Sequence, residues 1–356
     1  MVLKRSIKPR INRKVLISMY IIGALVVVML AFSLRFYNRI FGPNVVVEDS
    51  KGTELYLPTS PTFEEVVGLL EHSGAVQDMK GFIWLARRKA YHINPKGGRY
   101  ILKDGMSNNE LVNMLRSGAQ APVNVTFNNI RKLEDLAAVF SERLEADSAA
   151  FMRAFTDEQL IKEVGFLPNT LIALFIPNTY QIYWNTSPKS LMLRMKKEYD
   201  SFWNEERLKK AETIRLTPVQ VSTLASIVDE ETIKRDEKPR VAGLYINRLN
   251  IGMRLQADPT IKFVIGDFNV NRVLTKDLER DSPYNTYIYA GLPPGPIRMP
   301  SVEGIDAVLN YEHHEFLYMC AKDDFSGYHA FARTLRQHNI NAEKYRKALN
   351  RSRIYR

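Results

Sequence analysis

The sequence predicts an α+β protein hung from a single N-terminal membrane-spanning helix, and three observations give that class. Twenty uncharged residues, VLISMYIIGALVVVMLAFSL, lie between Lys14 and Arg35. From residue 36 to about 120, short strand-like and helix-like stretches alternate, as in a small α+β module. From 121 to 356, longer helical patterns are interleaved with short extended ones, which predicts a larger mixed α/β domain. The expected divisions are therefore a basic tail at 1–14, the span at 15–35, a juxtamembrane stretch and small module at 36–120, and the large domain at 121–356.

The span comes first. At about 1.5 Å per residue the uncharged run crosses a hydrocarbon core of about 30 Å. Six basic residues precede it and two follow, so the positive-inside rule places the N-terminus in the cytoplasm and the rest of the chain on the outer face of the inner membrane. The alternative, a cleaved secretion signal, is disfavoured because the run is long and no A-x-A-like site follows. The net charge of +11 suggests nucleic acid until its location is checked. Residues 1–40 hold eight basic side chains and no acid, and taking those eight away leaves +3 for the remainder. The basicity belongs to the anchor, and no nucleic-acid partner is expected. One cysteine, Cys320, excludes an intrachain disulfide and reads as a small buried residue in FLYMC.

In the small module, VVVEDS and TELYLP read as extended. TFEEVVGLLEHSG reads as a helix ending at Gly74, and RRKAYHI and GGRYILKDG as extended again. SNNELVNMLRSG has the signature of a capped helix, with Ser107 as N-cap, Glu110 at N3 and Gly118 as the stop. In the large domain QAPVNVTFNNI supplies a strand, 131–165 helices, and 175–184 an aromatic, turn-rich segment. Residues 187–211 read as one long helix with a solvated basic face. Thr217 and Pro218 open another helix, ending in ASIVDEET, and RVAGLYINRL continues helical. DSPYNTYIYAGLPPGPI is turn-rich, HEFLYMCA and YHAFARTL read as closing strands, and a basic helix ends the chain.

Chemistry concentrates in ASIVDEET. Val221, Leu224, Ala225 and Val228 define one apolar stripe. Glu230 then points nearly opposite and is expected to face water, whereas Asp229 and Glu231 fall on the two borders. A border carboxyl is half-desolvated, which raises its pKa and keeps it protonated as a general acid. Pairing of Glu231 with Lys234 or Arg235, at i+3 and i+4, is the plainer alternative. Periodicity alone leaves Glu231 and Asp229 open. NRLNIGMRLQADPT and SPYNTYIYAGLPPGPI gather amides, aromatics and a turn at Gly252, groups suited to stacking on sugar rings and bonding their hydroxyls, or equally to a proline-stiffened structural loop. The histidines lack HExxH spacing, and no phosphate loop, G-x-S-x-G elbow or GxGxxG is present, so neither a metal nor a cofactor is expected.

LASIVDEET, RVAGLYINRLNIGMRLQADPT and SPYNTYIYAGLPPGPI, in that order, closely resemble the YceG-like family of endolytic murein transglycosylases. RYILKDGMSNNELVNMLRSG looks like that family's LysM-like module, and FIPNTYQIYW resembles its F-x-P-[DN]-T-[YW] element. The resemblance covers nearly the whole chain after the anchor and implies that residues 121–356 form the catalytic domain. The family motif reads A-S-I-[VI]-E-K-E-T, and its essential second Glu falls on Glu231. Here Asp229 replaces the first Glu, and Glu230 replaces the usual Lys. The resemblance further implies substrate-site roles for Asn247, Arg248, Gln256, Asp258, Tyr284, Asn285, Thr286 and Tyr287. The implied substrate is the glycan strand of peptidoglycan, cut between N-acetylmuramic acid and N-acetylglucosamine with closure of a 1,6-anhydro ring, and the implied partners are penicillin-binding proteins or other glycan polymerases. Two other readings are a non-catalytic peptidoglycan-binding scaffold and a muramidase-type hydrolase in which Asp229 or Asp258 activates water.

Overall fold

The computed structural model describes residues 13–351 apart from 269, 271 and 272. The expected basic tail of 1–14 lies, but for Arg13 and Lys14, outside the described residues. The chain mixes helix and sheet, 53% helical and 10% strand, so helices carry most of the core. It divides into two compact units, one running to Pro122 with Tyr183–Asn185 added, the other holding Val123–Ile182 and the chain from Thr186.

The first unit begins with α1 (Arg13–Phe41), which buries none of its residues and is long and apolar enough to cross a membrane. It continues as β1 (Thr53–Leu57), α2 (Phe63–Ser73), α3 (Met79–Arg88), β2 (Gly98–Leu102) and α4 (Asn108–Ser117). The strands pair antiparallel, with Leu55 opposite Tyr100 and Leu57 opposite Gly98. Period-two alternation sends Leu55, Leu57, Tyr100 and Leu102 inward, where Leu111, Val112 and Leu115 of α4 meet them. The caps of α4 are the expected ones: Ser107 accepts from the Glu110 amide, Glu110 reaches back to the Ser107 amide, and Gly118 takes a left-handed conformation at φ 74°. Each such cap is worth about 1 kcal/mol. RRKAYHI, expected to be extended, instead finishes α3 and enters a 3-10 turn at Tyr91–Ile93. Asp78 starts α3 by accepting from the Gly81 amide, and Phe82, Leu85 and Ala86 fall at helical spacing on the core. VVVEDS forms no strand either; Val45 makes only an isolated bridge to Val76.

The second unit opens with β3 (Val123–Phe127), α5 (Leu133–Ser141), α6 (Ser148–Thr156), α7 (Glu158–Glu163) and β4 (Asn178–Ile182), and β3 pairs antiparallel with β4. Phe127, Phe140, Phe151, Phe155 and Phe175 meet edge-on or tilted in one aromatic core. The long helix expected over 187–211 is two: α8 (Pro188–Phe202) and α9 (Glu205–Thr213). Trp203 leaves helical geometry to bury its ring, and Asn204 caps α9 by accepting from the Arg207 amide at 3.0 Å. Next come α10 (Pro218–Glu231), α11 (Lys238–Asn250), α12 (Asp258–Ile265) and α13 (Val302–Leu309). Strands β5 (Tyr318–Ala321) and β6 (His329–Ala332) then pair antiparallel, and α14 (Leu335–Arg351) ends the described chain.

Helix α10 lies at the centre, packed by α9, α11, α12 and α13. The single apolar stripe read from its sequence is not how it packs: every residue from Val221 to Asp229 is buried. Small polar side chains make this possible by bonding within the helix. Thr223 donates to the Val219 carbonyl at 2.8 Å, and Ser226 donates to that of Thr223 at 2.7 Å while accepting from the Ile297 amide. Helix α10 is thus a rigid post whose C-terminal residue is Glu231.

Candidate active site

Three consecutive carboxylates at the end of α10 meet three different environments. Asp229 turns into the core, where Oδ1 accepts from Lys238 Nζ at 2.6 Å and from the Ser301 hydroxyl at 2.8 Å, and Oδ2 accepts from the Ser301 amide at 2.7 Å. It ties α10 to the starts of α11 and α13, with three of its four lone pairs engaged. Glu230 does not face water as expected. Its side chain is only 11% exposed and accepts from Arg131 at 2.9 Å and Arg298 at 2.6 Å. The helix end is wrapped by the segment before α5 and by the proline-rich loop, and each contributes an arginine. Those two cations neutralise the charge that would otherwise act beside Glu231.

Glu231 stands apart. Its expected partners are used elsewhere: Arg235 pairs with Glu303 at 2.9 Å and Lys234 lies over the Tyr328 ring. The helix stops at Glu231, and Thr232 is extended at φ −143°, so the i+3 and i+4 relation does not exist. Instead Oε1 accepts from the Tyr245 hydroxyl of α11 at 2.5 Å. The carboxyl opens on a cleft of about 210 Å³ whose polar lining adds Tyr245, Arg248, Gln256, Asp258, Tyr287 and His329. Although part of the side chain touches the cleft, protein surrounds it, and this desolvation raises its pKa to about 7; the Tyr245 bond opposes the rise, the Asp258 charge adds to it, and His329 and Lys262 oppose it.

Of the eight residues expected around the substrate, four line this cleft with Glu231. Arg248 is held rigid by donating from Nε to the Leu317 carbonyl and from Nη1 to that of Leu255, each at 2.6 Å. Gln256 reaches the cleft from a left-handed backbone at φ 49°, a conformation costing a non-glycine residue on the order of 1 kcal/mol. Asp258 begins α12 and accepts from the Tyr287 hydroxyl at 2.5 Å.

The other four lie behind the wall. Asn247 donates to the carbonyls of His314 and Phe316, fastening α11 to the chain before β5. Asn285, fully buried, donates to the carbonyls of Leu278 and Arg280 and accepts from the Tyr287 amide. Thr286 accepts from the Ala257 amide and bonds the Thr260 hydroxyl, while Tyr284 packs on Phe263. Asn285 and Thr286 shape the loop that presents Tyr287 and Gln256.

Three cleft residues escape a reading of the sequence. Tyr245 looks like one more apolar position on a helix. His329 lies 98 residues from Glu231 in the chain; its Nδ1 is 2.9 Å from Glu237, which also accepts from the His329 amide. Cys320 is only half-buried and forms part of the cleft wall, not the closed core position expected. Among the described residues, no three His, Cys, Asp or Glu side chains are grouped to hold a metal.

A carboxyl raised by burial toward neutrality, at the end of a buried helix and opening on a polar cleft, is the kind of group that acid–base chemistry uses. The chain belongs to the YceG-like family, whose model matches residues 55–344. It is 28% identical over 331 residues to a Bacillus subtilis protein named endolytic murein transglycosylase, covering 86% of this chain and 88% of that protein. It is 29% identical to a Streptococcus pneumoniae protein of the same name, where the match covers 83% of this chain and 58% of the relative's length. The solved structure of a yceG-like protein from Listeria monocytogenes shares the fold, with a TM-score of 0.53 and 24% identity over 82% of this chain and 99% of that one.

Proposed function

We propose that this protein is an endolytic peptidoglycan lytic transglycosylase acting in cell-wall assembly. It cleaves the bond between N-acetylmuramic acid and N-acetylglucosamine within a glycan strand and leaves a 1,6-anhydro end. The observation that carries this is the Glu231 carboxyl, raised by burial to a pKa of about 7, bonded on one oxygen by Tyr245 and open to the cleft. Protonated Glu231 gives its proton to the glycosidic oxygen as the bond breaks toward an oxocarbenium-like state. The carboxylate so formed takes the proton of the muramic acid C6 hydroxyl, whose oxygen attacks C1 and closes the ring. The proton lost in the first step is recovered in the second, and no water enters. A nucleophile carried by the substrate needs no second catalytic carboxylate.

Cleft residues Arg248, Gln256, Asp258 and Tyr287 are assigned to binding sugar hydroxyl and acetamido groups; Asn247, Tyr284, Asn285 and Thr286 are assigned to holding that surface in shape. Helix α1 is assigned as a single-pass anchor in the cytoplasmic membrane, with the N-terminus inside and the catalytic unit outside, supported by the basic residues before the span. Penicillin-binding proteins are the proposed neighbours, since strand cutting complements strand polymerisation.

The test is incubation of purified glycan strands with the parental chain and with Glu231→Gln, followed by mass spectrometry of the ends. Anhydro ends from the parent and none from the variant are expected. Ends heavier by about 18 Da, one water, indicate hydrolysis instead, and an absence of new ends from the parent leaves only a binding scaffold.

A further inference from the structure

Helix α3 has two faces of different character. Gly81, Phe82, Leu85 and Ala86 are buried in the core of the first unit. Lys80, Ile83, Trp84, Arg87 and Arg88, at i, i+3, i+4, i+7 and i+8, share the opposite face and line a shallow hollow of about 390 Å³. Lys80, Arg87 and Arg88 are exposed, and none of them forms an ion pair among the described residues. The Arg88 guanidinium lies 5.6 Å from the centre of the Trp84 ring. The nearest acid of α3, Asp78, is already engaged by Arg39 at 2.8 Å.

What covers this face follows from its attachment to α1. The Trp84 ring meets Phe36 edge-on at 5.2 Å. Phe36 lies two residues past Leu34, the last residue of the uncharged run, and therefore sits where hydrocarbon gives way to headgroups. The Arg39–Asp78 pair and the bond from Asn108 to the Arg39 carbonyl at 2.9 Å fix the same turn of α1 to the starts of α3 and α4. A tryptophan at that depth flanked by the exposed cations Lys80, Arg87 and Arg88 is the chemistry of an interfacial helix.

We infer that this face of α3 is a membrane-docking surface: Trp84 and Ile83 enter the interfacial layer of the bilayer that α1 crosses, and Lys80, Arg87 and Arg88 bind the phosphates of anionic lipids there. The inference rests on α1 being a membrane anchor and not on the glycan chemistry.

The experiment uses the full chain in nanodiscs, with brominated acyl chains quenching tryptophan fluorescence. Trp84 is one of three tryptophans, so its share is the difference between the parent and Trp84→Phe. In discs containing phosphatidylglycerol, the Trp84 share is quenched. In phosphatidylcholine discs, and in the surface variant Lys80→Glu/Arg87→Glu/Arg88→Glu, the quenching is mostly lost, while cleavage of soluble glycan strands stays at the parental rate. Unquenched Trp84 in anionic discs overturns the proposal, as does quenching that the charge reversals leave unchanged. Failure of the chain to enter discs overturns the anchor and the docking surface together; the glycan assay, run separately, reports on the cleft alone.

Discussion

The Tyr245 hydroxyl donates to Oε1 of Glu231 across the crossing of two buried helices, 14 residues apart in the chain. This bond stabilises the ionised carboxylate against a burial that favours the neutral acid, and the balance leaves the group titrating near 7.

Activity should therefore fall as pH rises through about 7, where Glu231 loses the proton it must donate. In Tyr245→Phe the bond that favoured the charged form is gone, the Glu231 pKa rises, and the alkaline limb of kcat/KM moves to higher pH. The rate at the optimum falls by roughly tenfold, the cost of about 1.5 kcal/mol of lost orientation. A limb that stays in place or moves to lower pH contradicts the assignment.

Glu231→Gln should lower turnover by roughly 10²- to 10⁴-fold. The same change should stabilise the fold at alkaline pH. The folded pKa of about 7 exceeds the ordinary value of 4.5, so the native state binds more protons than the unfolded chain between those values. Stability thus declines as pH rises from about 4.5 to 7. The burden at pH 8 is at most about 3 kcal/mol, and less to the extent that cleft water reaches the carboxyl. Thermal melts should show the variant more stable than the parent at pH 8, with the difference closing toward pH 4.5.

Asp229 and Lys238 form a buried pair, 3% and 9% exposed. Removing one member strands the other, so Asp229→Ala should cost about 3–5 kcal/mol. Asp229→Leu combined with Lys238→Met should recover much of that in denaturant unfolding, which separates a packing role from an electrostatic one.

Asn285→Ala leaves two carbonyls and one amide without partners in a buried loop, each worth about 1–3 kcal/mol. It should lower the melting temperature and kcat/KM together. Tyr287→Phe keeps the loop but loses the hydroxyl bonded to Asp258, so KM should rise while stability stays near parental. Equal destabilisation by both changes would remove the distinction drawn between wall and lining.

Local signals in the sequence marked many element ends. Ser107, Glu110 and Gly118 bound α4, and Thr217 with Pro218 starts α10, because a cap is a contact within four residues. Signals that depend on distant partners were not legible. Eight-residue α12 and α13 have too few turns to show a period, and the Ser301 cap of α13 is itself bound by Asp229, 72 residues away. The stripe on α10 misled because Ser222, Thr223 and Ser226 count as polar in a pattern yet are buried. Glu231 stood out as a border carboxyl, but Tyr245 and His329 join it only through the crossing of α10 with α11 and the return of β6. Asn247, Asn285 and Thr286 carried the right chemistry for sugar binding; their bonds to carbonyls and amides show how readily the same groups serve a loop.

The three acids of α10 act as a tripod. Two legs are bolted down, one to Lys238 and Ser301, the other to Arg131 and Arg298, and these bolts stop the last turn from swivelling about the helix axis. The aim of the third leg is thus set by ion pairs that never meet a sugar. Any exchange at either fixed leg must be answered by its counterion if the acid proposed to react is to keep its line of fire.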